Sequence, residues 1–118
     1  MISYTVNGNE LIVNNKPVKF NYPIYKIDEV NNLIIVLLEF NSKNNPLEFI
    51  NALYAISDSG KIVWKMEDVR NHLGNLQPDP LVDFKILDDK ILAIDFCSRK
   101  FNVNAHDGSI SGFQTGRW

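Results

Sequence analysis

The feature that most constrains the fold is a short-period alternation of apolar and polar residues, interrupted every few positions by turn-forming residues. Alternation with a period of two places apolar side chains on one face of a β-strand, and Asn-Gly or Asp-rich turns favour tight hairpins. Such turns lie at Asn7-Gly8-Asn9, Asn15-Lys16, Asn31-Asn32, Asp58-Ser59-Gly60, Asp88-Asp89-Lys90 and His106-Asp107-Gly108. The pattern predicts an all-β domain, an antiparallel meander of about ten short strands.

Two strands are apolar on both faces. They are LIIVLLEF, from Leu33, and ILAIDF, from Ile91. Strands without polar alternation are typical of positions that are covered on both sides. We therefore expect both to be central strands with packing on each face.

One segment favours a helix, near residues 67–73. Asp68 is a suitable capping residue at its start, and Gly74 suits a left-handed closing position. The next residues include Pro78 and Pro80, which remove backbone donors and favour an extended loop. This loop divides the chain into two parts.

The strands on either side of this divide form an internal repeat, residues 22–66 and 80–114. Lys26-Ile27 aligns with Lys85-Ile86, Leu33–Val36 with Ile91–Ile94, and Ser59–Ile62 with Asp107–Ile110. Four-stranded meanders that recur at such intervals are typical of propeller blades. The expected fold is a single domain over 1–118, with an N-terminal hairpin and two four-stranded blade-like units, either a half-propeller or an open sandwich.

The segment LYAISDSGKIVWK, residues 53–65, resembles the blade motif of PQQ-type β-propeller repeats. That motif has a Tyr-Ala-like pair, an Asp-x-Gly-Lys turn and a strand that ends in Trp. The segment FNVNAHDGSISGF, residues 101–113, keeps the turn but has Asn102 and Gly112 in place of the two aromatic residues. The resemblance implies a shared blade structure and does not extend to the side chains that bind a quinone, so no cofactor is expected.

Composition narrows the class of protein. The 118 residues are 45% hydrophobic and 22% charged, with a net charge of −2, which fits a globular domain and does not favour nucleic-acid or membrane binding. The single Cys97 excludes an internal disulfide, and the N-terminus lacks the pattern of a secretory signal. We therefore expect a cytoplasmic protein.

The residues that could carry chemistry do not form a recognisable active site. His72 and His106 match no metal-ligand spacing, and Cys97 follows a strand that is expected to be buried. Asp95 lies within an apolar strand, where it either faces solvent or pairs with Arg99 or Lys100. We predict no catalytic residue, no metal and no enzyme activity.

By size, composition and irregular β-architecture, the chain resembles the single-domain immunity proteins of bacterial toxin systems, including those of contact-dependent inhibition. This resemblance implies that the protein binds a cognate toxin domain, commonly a basic nuclease, and blocks it. Residues 67–95 carry seven acids against three bases, so an acidic surface there would attract a basic partner. The predicted partner-binding residues are Glu67, Asp68, Asp79, Asp83, Asp88 and Asp89, with Leu76, Leu81 and Trp64 as apolar anchors.

Two other functions stay open. One is a structural or scaffold domain with a different protein partner, and the other is a small hydrolase-like enzyme that uses Asp95 or His72. Trp64 is also expected to pack in the core, and Trp118 is either a loose tail or a plug against the last strand.

Overall fold

A computed structural model describes residues 2–115, and Trp118 lies outside them. These residues form eleven strands, a 3-10 turn at Pro46–Phe49 and the short helix α1 at Arg70–Leu73. The strands are β1 (Tyr4–Asn7), β2 (Glu10–Val13), β3 (Lys16–Lys19), β4 (Ile24–Val30), β5 (Leu33–Leu38), β6 (Leu53–Ile56), β7 (Ile62–Lys65), β8 (Leu81–Leu87), β9 (Lys90–Asp95), β10 (Lys100–Val103) and β11 (Ile110–Gln114). The predicted all-β fold is confirmed.

The strands make three antiparallel sheets in chain order: an N-terminal sheet β1-β2-β3, a middle sheet β4-β5-β6-β7 and a C-terminal sheet β8-β9-β10-β11. The two predicted four-stranded units are the middle and C-terminal sheets. The N-terminal hairpin continues through the predicted turn at Asn15-Lys16 into a third strand, because β3 pairs with β2 over residues 16–19.

Asparagine closes several of the tight turns. Asn14 and Asn15 both have positive φ, as do Asn31 and Asn32, and Asp88 has φ 60° in the equivalent turn of the C-terminal sheet. Two-residue hairpin turns need this left-handed backbone, and Asn and Asp tolerate it better than most residues. This geometry accounts for part of the unusually high asparagine content, 15 of 118 residues.

The three sheets stack face to face, with the middle sheet buried on both sides. On β5, Ile35 and Leu37 pack in one apolar cluster with the C-terminal sheet, whereas Ile34 and Val36 pack in another with the N-terminal sheet. All four side chains are fully or almost fully buried. The prediction that LIIVLLEF is covered on both faces is therefore confirmed.

The same prediction is wrong for ILAIDF. On β9, Ile91 and Ala93 are buried against the middle sheet and Asp95 is also buried, whereas Leu92 and Ile94 on the other face are only half-buried. No other sheet of residues 2–115 covers that outer face. Apolar residues on both faces of a strand thus correctly predicted burial of both faces in the middle sheet but not in the C-terminal sheet.

The middle and C-terminal sheets share one backbone plan. Strands β8 and β9 repeat the lengths of β4 and β5 at positions 57 residues later, with a two-residue turn between them in each case. A β-bulge interrupts each first strand at the same place, between Ile24 and Lys26 and between Leu81 and Asp83. The structural register therefore pairs Lys26 with Asp83, and the predicted alignment of Lys26 with Lys85 is wrong by two residues.

Two turn glycines show that each sheet packs on the sheet before it in the same manner. Gly60 and Gly108 have φ of 77° and 76°. A Cβ on Gly60 would lie 2.8 Å from Lys16 Cβ in the N-terminal sheet, and one on Gly108 would lie 2.5 Å from Trp64 Cε3 in the middle sheet. Close approach of the turn to the preceding sheet thus requires glycine at both positions.

The helix is shorter than predicted, four residues instead of seven. The capping residue at its start is Val69, which makes no side-chain capping hydrogen bond, so the prediction of Asp68 as the cap is wrong by one residue, although Asp68 Oδ1 accepts a hydrogen bond from Arg70 N at 2.9 Å. Gly74 ends the helix with positive φ, 62°, as predicted, but its ψ of −119° lies outside the left-handed helical region. Among residues 2–115, no helix has the length and apolar content needed to span a membrane.

Candidate functional site

The two β-bulges place two apolar side chains, an exposed Tyr25 and a half-buried Val82, where the middle and C-terminal sheets meet. Tyr25 and Val82 are the extra residues of β4 and β8, so neither has a partner in the strand register. Both line one groove of about 200 Å³, and the Tyr25 side chain is 58% exposed. Bulges commonly redirect a side chain out of a sheet, which is their effect here.

Phe96 extends this surface on the other side of Val82. It is 69% exposed, and it lines a second groove of about 420 Å³ together with Val82, Lys85 and Ile94. We refer to Tyr25, Val82 and Phe96 as the aromatic seam. An exposed phenylalanine on a short turn is unusual, because its burial elsewhere would remove a large apolar area from water.

The turn that carries Phe96 is held by many hydrogen bonds. Asp95 Oδ1 accepts from the backbone N–H groups of Cys97 and Arg99, and Asp95 N donates to Arg99 O. Ser98 takes positive φ, 68°, and Phe96 N donates to Pro80 O at 2.9 Å. The backbone around Phe96 is therefore fixed both within the turn and against the loop that precedes β8.

A buried guanidinium connects this turn to the same loop. Arg99 Nε donates to Asp95 Oδ2 at 2.7 Å, and its Nη2 donates to Asp79 Oδ2 at 2.7 Å and to Gln77 O at 2.6 Å. The side chains of Asp95 and Arg99 are 1% and 9% exposed. We refer to Asp79, Asp95 and Arg99 as the Arg99 clamp.

The Arg99 clamp shows which group the Asp95 carboxylate binds. The prediction that Asp95 either pairs with Arg99 or Lys100 or faces solvent is resolved in favour of Arg99. Alternation correctly predicted that Asp95 faces away from Ile94 and Phe96. A carboxylate that accepts three hydrogen bonds inside the protein has a structural role in holding the turn.

Two carboxylates and one guanidinium leave the turn locally negative. The thiol of Cys97 is exposed, and its pKa is raised, first by a hydrogen bond to Asp79, then by burial and by the charges of Asp79 and Asp95. A thiol pKa rises where negative charge opposes formation of the thiolate. Although Cys97 follows a strand whose inner face is buried, it is itself exposed because β9 ends at Asp95.

A second ion pair joins the two sheets beside Val82. Lys26 Nζ donates to Asp83 Oδ1 at 2.9 Å and to Phe84 O at 2.6 Å, and it lies 5.0 Å from the centre of the Phe84 ring. Partial burial acts to raise the pKa of Asp83, but the hydrogen bonds from Lys26 and from Phe84 N outweigh it, so this pKa is lowered. Lys26 thereby fixes the relative position of the two bulges.

Two of the acids predicted to bind a partner, Glu67 and Asp68, instead bind groups within the protein. Glu67 Oε1 accepts from Ile110 N at 2.9 Å, and its Oε2 lies 3.0 Å from Asn71 Nδ2 and 3.1 Å from His72 Nε2. Asp68 forms a two-oxygen contact with Arg70. The His72 side chain is thus half-buried beside Glu67.

The remaining acids lie at two separate places. Asp79 and Asp83 are beside the aromatic seam, in the Arg99 clamp and in the Lys26 pair. Asp88 and Asp89 are exposed in the β8–β9 turn, at the opposite end of the seven-residue β8. The structure therefore does not bring the six predicted acids together on one surface.

The three predicted apolar anchors differ in how deeply they are buried. Leu76 is 51% exposed and directly precedes Gln77, which contacts the Arg99 clamp. Leu81 is 1% exposed because it faces the cluster between two sheets, and Trp64 is 7% exposed beneath Gly108, with its Nε1 donating to Ala105 O at 2.9 Å. The prediction that Leu81 and Trp64 anchor a partner is wrong, and the alternative prediction for Trp64, that it packs in the core, is confirmed.

Sequence reasoning missed Tyr25, Val82 and Phe96. The two bulges leave no mark in the alternation of apolar residues, so Tyr25 and Val82 could not be assigned to the surface. The spacing of Asp95 and Arg99 was the one available signal for Phe96, because it indicated a turn that closes on itself. Among residues 2–115, no group of three or more His, Cys, Asp or Glu side chains is placed to hold a metal ion.

Residues 1–115 match the sequence family described as a domain of unknown function, DUF7957. The chain belongs to this family. No curated protein matches it.

Proposed function

We propose that this protein is a non-enzymatic binding module of the cytoplasm, an immunity protein that binds and blocks a cognate bacterial toxin domain. The observation that carries the proposal is Phe96, which is 69% exposed on a turn fixed by a buried ion pair. We further propose that the aromatic seam and Leu76 form the contact surface.

An exposed aromatic side chain on a backbone that is fixed by hydrogen bonds is well suited to binding a protein partner. Interfaces obtain most of their binding energy from a few anchors, among which aromatic residues are enriched, and an anchor that is already ordered loses little entropy on binding. Tyr25 and Phe96 lie on opposite sides of Val82, in adjoining grooves. A partner surface with apolar pockets for both rings fits this arrangement.

Charge on the Tyr25 side of the seam favours a basic partner, such as a nuclease domain. Glu39 is exposed in the groove that contains Tyr25, and Asp79 contributes the excess negative charge of the Phe96 turn. Carboxylates beside an apolar anchor attract Lys and Arg side chains and increase the rate of encounter. The charge of Lys26 is balanced by Asp83, whereas Lys85 and Lys100 line the groove that contains Phe96, so the basic side chains of a partner are expected on the Tyr25 side of the seam.

The proposal predicts that a toxin domain is encoded beside this protein, and it is tested by titrating the purified protein against that domain and by measuring protection of cells that express it. We expect Phe96→Ala to weaken binding by about 30-fold or more and to abolish protection. Leu87→Ala is the matched control, because Leu87 is 56% exposed at the far end of β8 and should bind as the wild type does. Equal affinity of the two variants would contradict the assignment of the surface.

A second pair of variants tests the charge of the partner. Glu39→Lys places a positive charge in the seam, whereas Asp89→Lys makes the same change in the distant β8–β9 turn. We expect a slower association rate for Glu39→Lys, with a difference that shrinks at high salt, and a smaller change for Asp89→Lys. Equal effects would show that the toxin responds to net charge alone.

A further inference from the structure

We infer that Arg99 is a positioning residue, which holds the Phe96 turn and the loop that contains Leu76 in one arrangement so that both side chains form a fixed anchor. This inference rests on the proposed function and names the residue on which its affinity depends. Arg99 itself is 7% exposed, so it is too deeply buried to serve as a contact residue.

The first reason is the geometry of the guanidinium. Its Nε and Nη2 atoms bind groups from two separate parts of the chain, Asp95 in the turn and Asp79 with Gln77 in the loop. A planar guanidinium can hold such groups simultaneously and in fixed directions, which a single ammonium cannot do. Gln77 directly follows Leu76, and Asp95 directly precedes Phe96.

The second reason is energetic. A buried ion pair recovers little more than the cost of removing its charges from water, and apolar residues in its place are often at least as stable. Burial of Asp95 and Arg99 is therefore poorly explained by stability alone. What it does provide is a network of hydrogen bonds around a turn that leaves Phe96 exposed to solvent, with the backbone N–H of Phe96 bonded to Pro80 O.

The third reason comes from the equivalent place in the middle sheet. Leu38 occupies the position of Asp95, 57 residues earlier, and is buried as an ordinary apolar residue. A long connection, residues 39–52, follows Leu38, whereas only residues 96–99 separate β9 from β10. The clamp thus occurs only in the unit that presents Phe96.

The test is Arg99→Lys, which keeps the positive charge but removes the planar guanidinium that binds several groups at once. Arg70→Lys is its control. Arg70 makes a comparable forked contact with Asp68, but on an exposed surface. The first measurement is amide hydrogen exchange in the free protein. We expect the Phe96 amide to exchange about 10-fold faster or more in Arg99→Lys, with core amides such as that of Ile35 unchanged, and no change in Arg70→Lys.

The second measurement is binding to the toxin domain. We expect Arg99→Lys to dissociate about 10-fold faster with a similar association rate, because an anchor that is no longer fixed must be ordered on binding. Asp79→Asn, at a carboxylate that is 27% exposed, serves as a second variant that should stay folded and show a smaller change in the same direction.

The outcomes separate this inference from the proposed function. Unchanged Phe96 exchange in both Arg99→Lys and Asp79→Asn would overturn the positioning role, whatever the partner. Faster exchange with an unchanged dissociation rate would also overturn it, because the order of the turn would then not matter for affinity. Loss of binding in Arg99→Lys but not in Phe96→Ala would contradict the proposed surface and leave the ordering of the turn by Arg99 intact.

Discussion

The middle and C-terminal sheets have the same backbone plan but different surroundings. Both begin with a seven-residue strand that contains a bulge, continue through a two-residue turn into a six-residue strand, and carry a second bulge at an equivalent place, after Ala55 and after Asn102. The middle sheet is covered on both faces, whereas the C-terminal sheet has one outer face. The comparison shows that one plan can serve as core in one copy and as surface in the next.

Side chains at equivalent positions follow this difference. Ile35 and Leu37 of β5 correspond to Leu92 and Ile94 of β9, and Leu53 of β6 corresponds to Lys100 of β10. The residues at the centre of the outer face are thus apolar, as they are in the middle sheet, whereas the apolar residue near its end is replaced by a charged one. Polar residues on the outermost unit keep stacked repeats soluble.

The largest expected effect concerns the Arg99 clamp, which the middle sheet lacks. Arg99→Ala would leave the buried carboxylate of Asp95 without its counter-charge, so we expect a loss of about 3–5 kcal/mol in the free energy of unfolding. Arg70→Ala removes an exposed ion pair and should cost about 1 kcal/mol or less. Urea unfolding of the two variants measures the difference, and equal losses would contradict the structural role of the clamp.

The next effect compares the equivalent residues Leu37 and Ile94. Leu37 is 1% exposed between two sheets, so Leu37→Ala should lower the free energy of unfolding by about 2–5 kcal/mol. Ile94 is half-buried on the outer face, and Ile94→Ala should cost about 1 kcal/mol. Similar costs in chemical denaturation would mean that the outer face of the C-terminal sheet is covered in solution.

A smaller effect is expected at the turn glycines. Alanine at Gly108 must take a left-handed backbone and approach the buried ring of Trp64, so Gly108→Ala should cost about 2–4 kcal/mol and lower the melting temperature. Gly8 has φ 63° but open space around it, so Gly8→Ala isolates the backbone cost, about 1–2 kcal/mol. If thermal melts of both variants agreed, the close packing of the turn on the middle sheet would be refuted.

The smallest effect is a dependence on pH at the contact between the two units. The hydrogen bond from Ile110 N, followed by those from Asn71 and His72, lowers the pKa of Glu67. A folded-state pKa below the unfolded one gives stability that is present at neutral pH and is lost as the pH falls through the folded-state value. We expect the melting temperature to fall between about pH 5 and pH 3, with a shallower fall in Glu67→Gln.

Glu39→Gln is the control for this dependence, because Glu39 is exposed and outside that contact. It should retain the slope of the wild type. If the melting temperature of Glu67→Gln depended on pH as that of the wild type does, Glu67 would not contribute to the loss of stability in acid.

The sequence was sufficient for the strands and their turns because both have local causes. Alternation defines a strand, and Asn-Gly, Asn-Asn or Asp-Asp pairs define where it reverses. It was also sufficient for the number of units and for the burial of Ile34–Leu37. Whether the units are related to PQQ-type propeller blades stays a prediction.

The candidate site was harder to predict because its causes are not local. An apolar strand such as ILAIDF has the same sequence pattern whether a further sheet covers it or not, so the exposed side of Leu92 and Ile94 could not be foreseen. A bulge changes which face a residue occupies without changing composition, which concealed Tyr25 and Val82. Charge along the sequence predicts a surface role for the acidic residues, yet Glu67, Asp79 and Asp83 bind partners within the protein that are distant in sequence.

The central claim is that a partner binds where the two units meet, at the aromatic seam. Hydrogen exchange of the protein with and without its toxin domain tests this most directly. If the partner binds at the seam, we expect slower exchange on binding at residues 24–26, 81–83 and 95–98, with little change in the distant turns at 31–32 and 88–89. Protection at those turns, with unchanged exchange around Phe96, would contradict it.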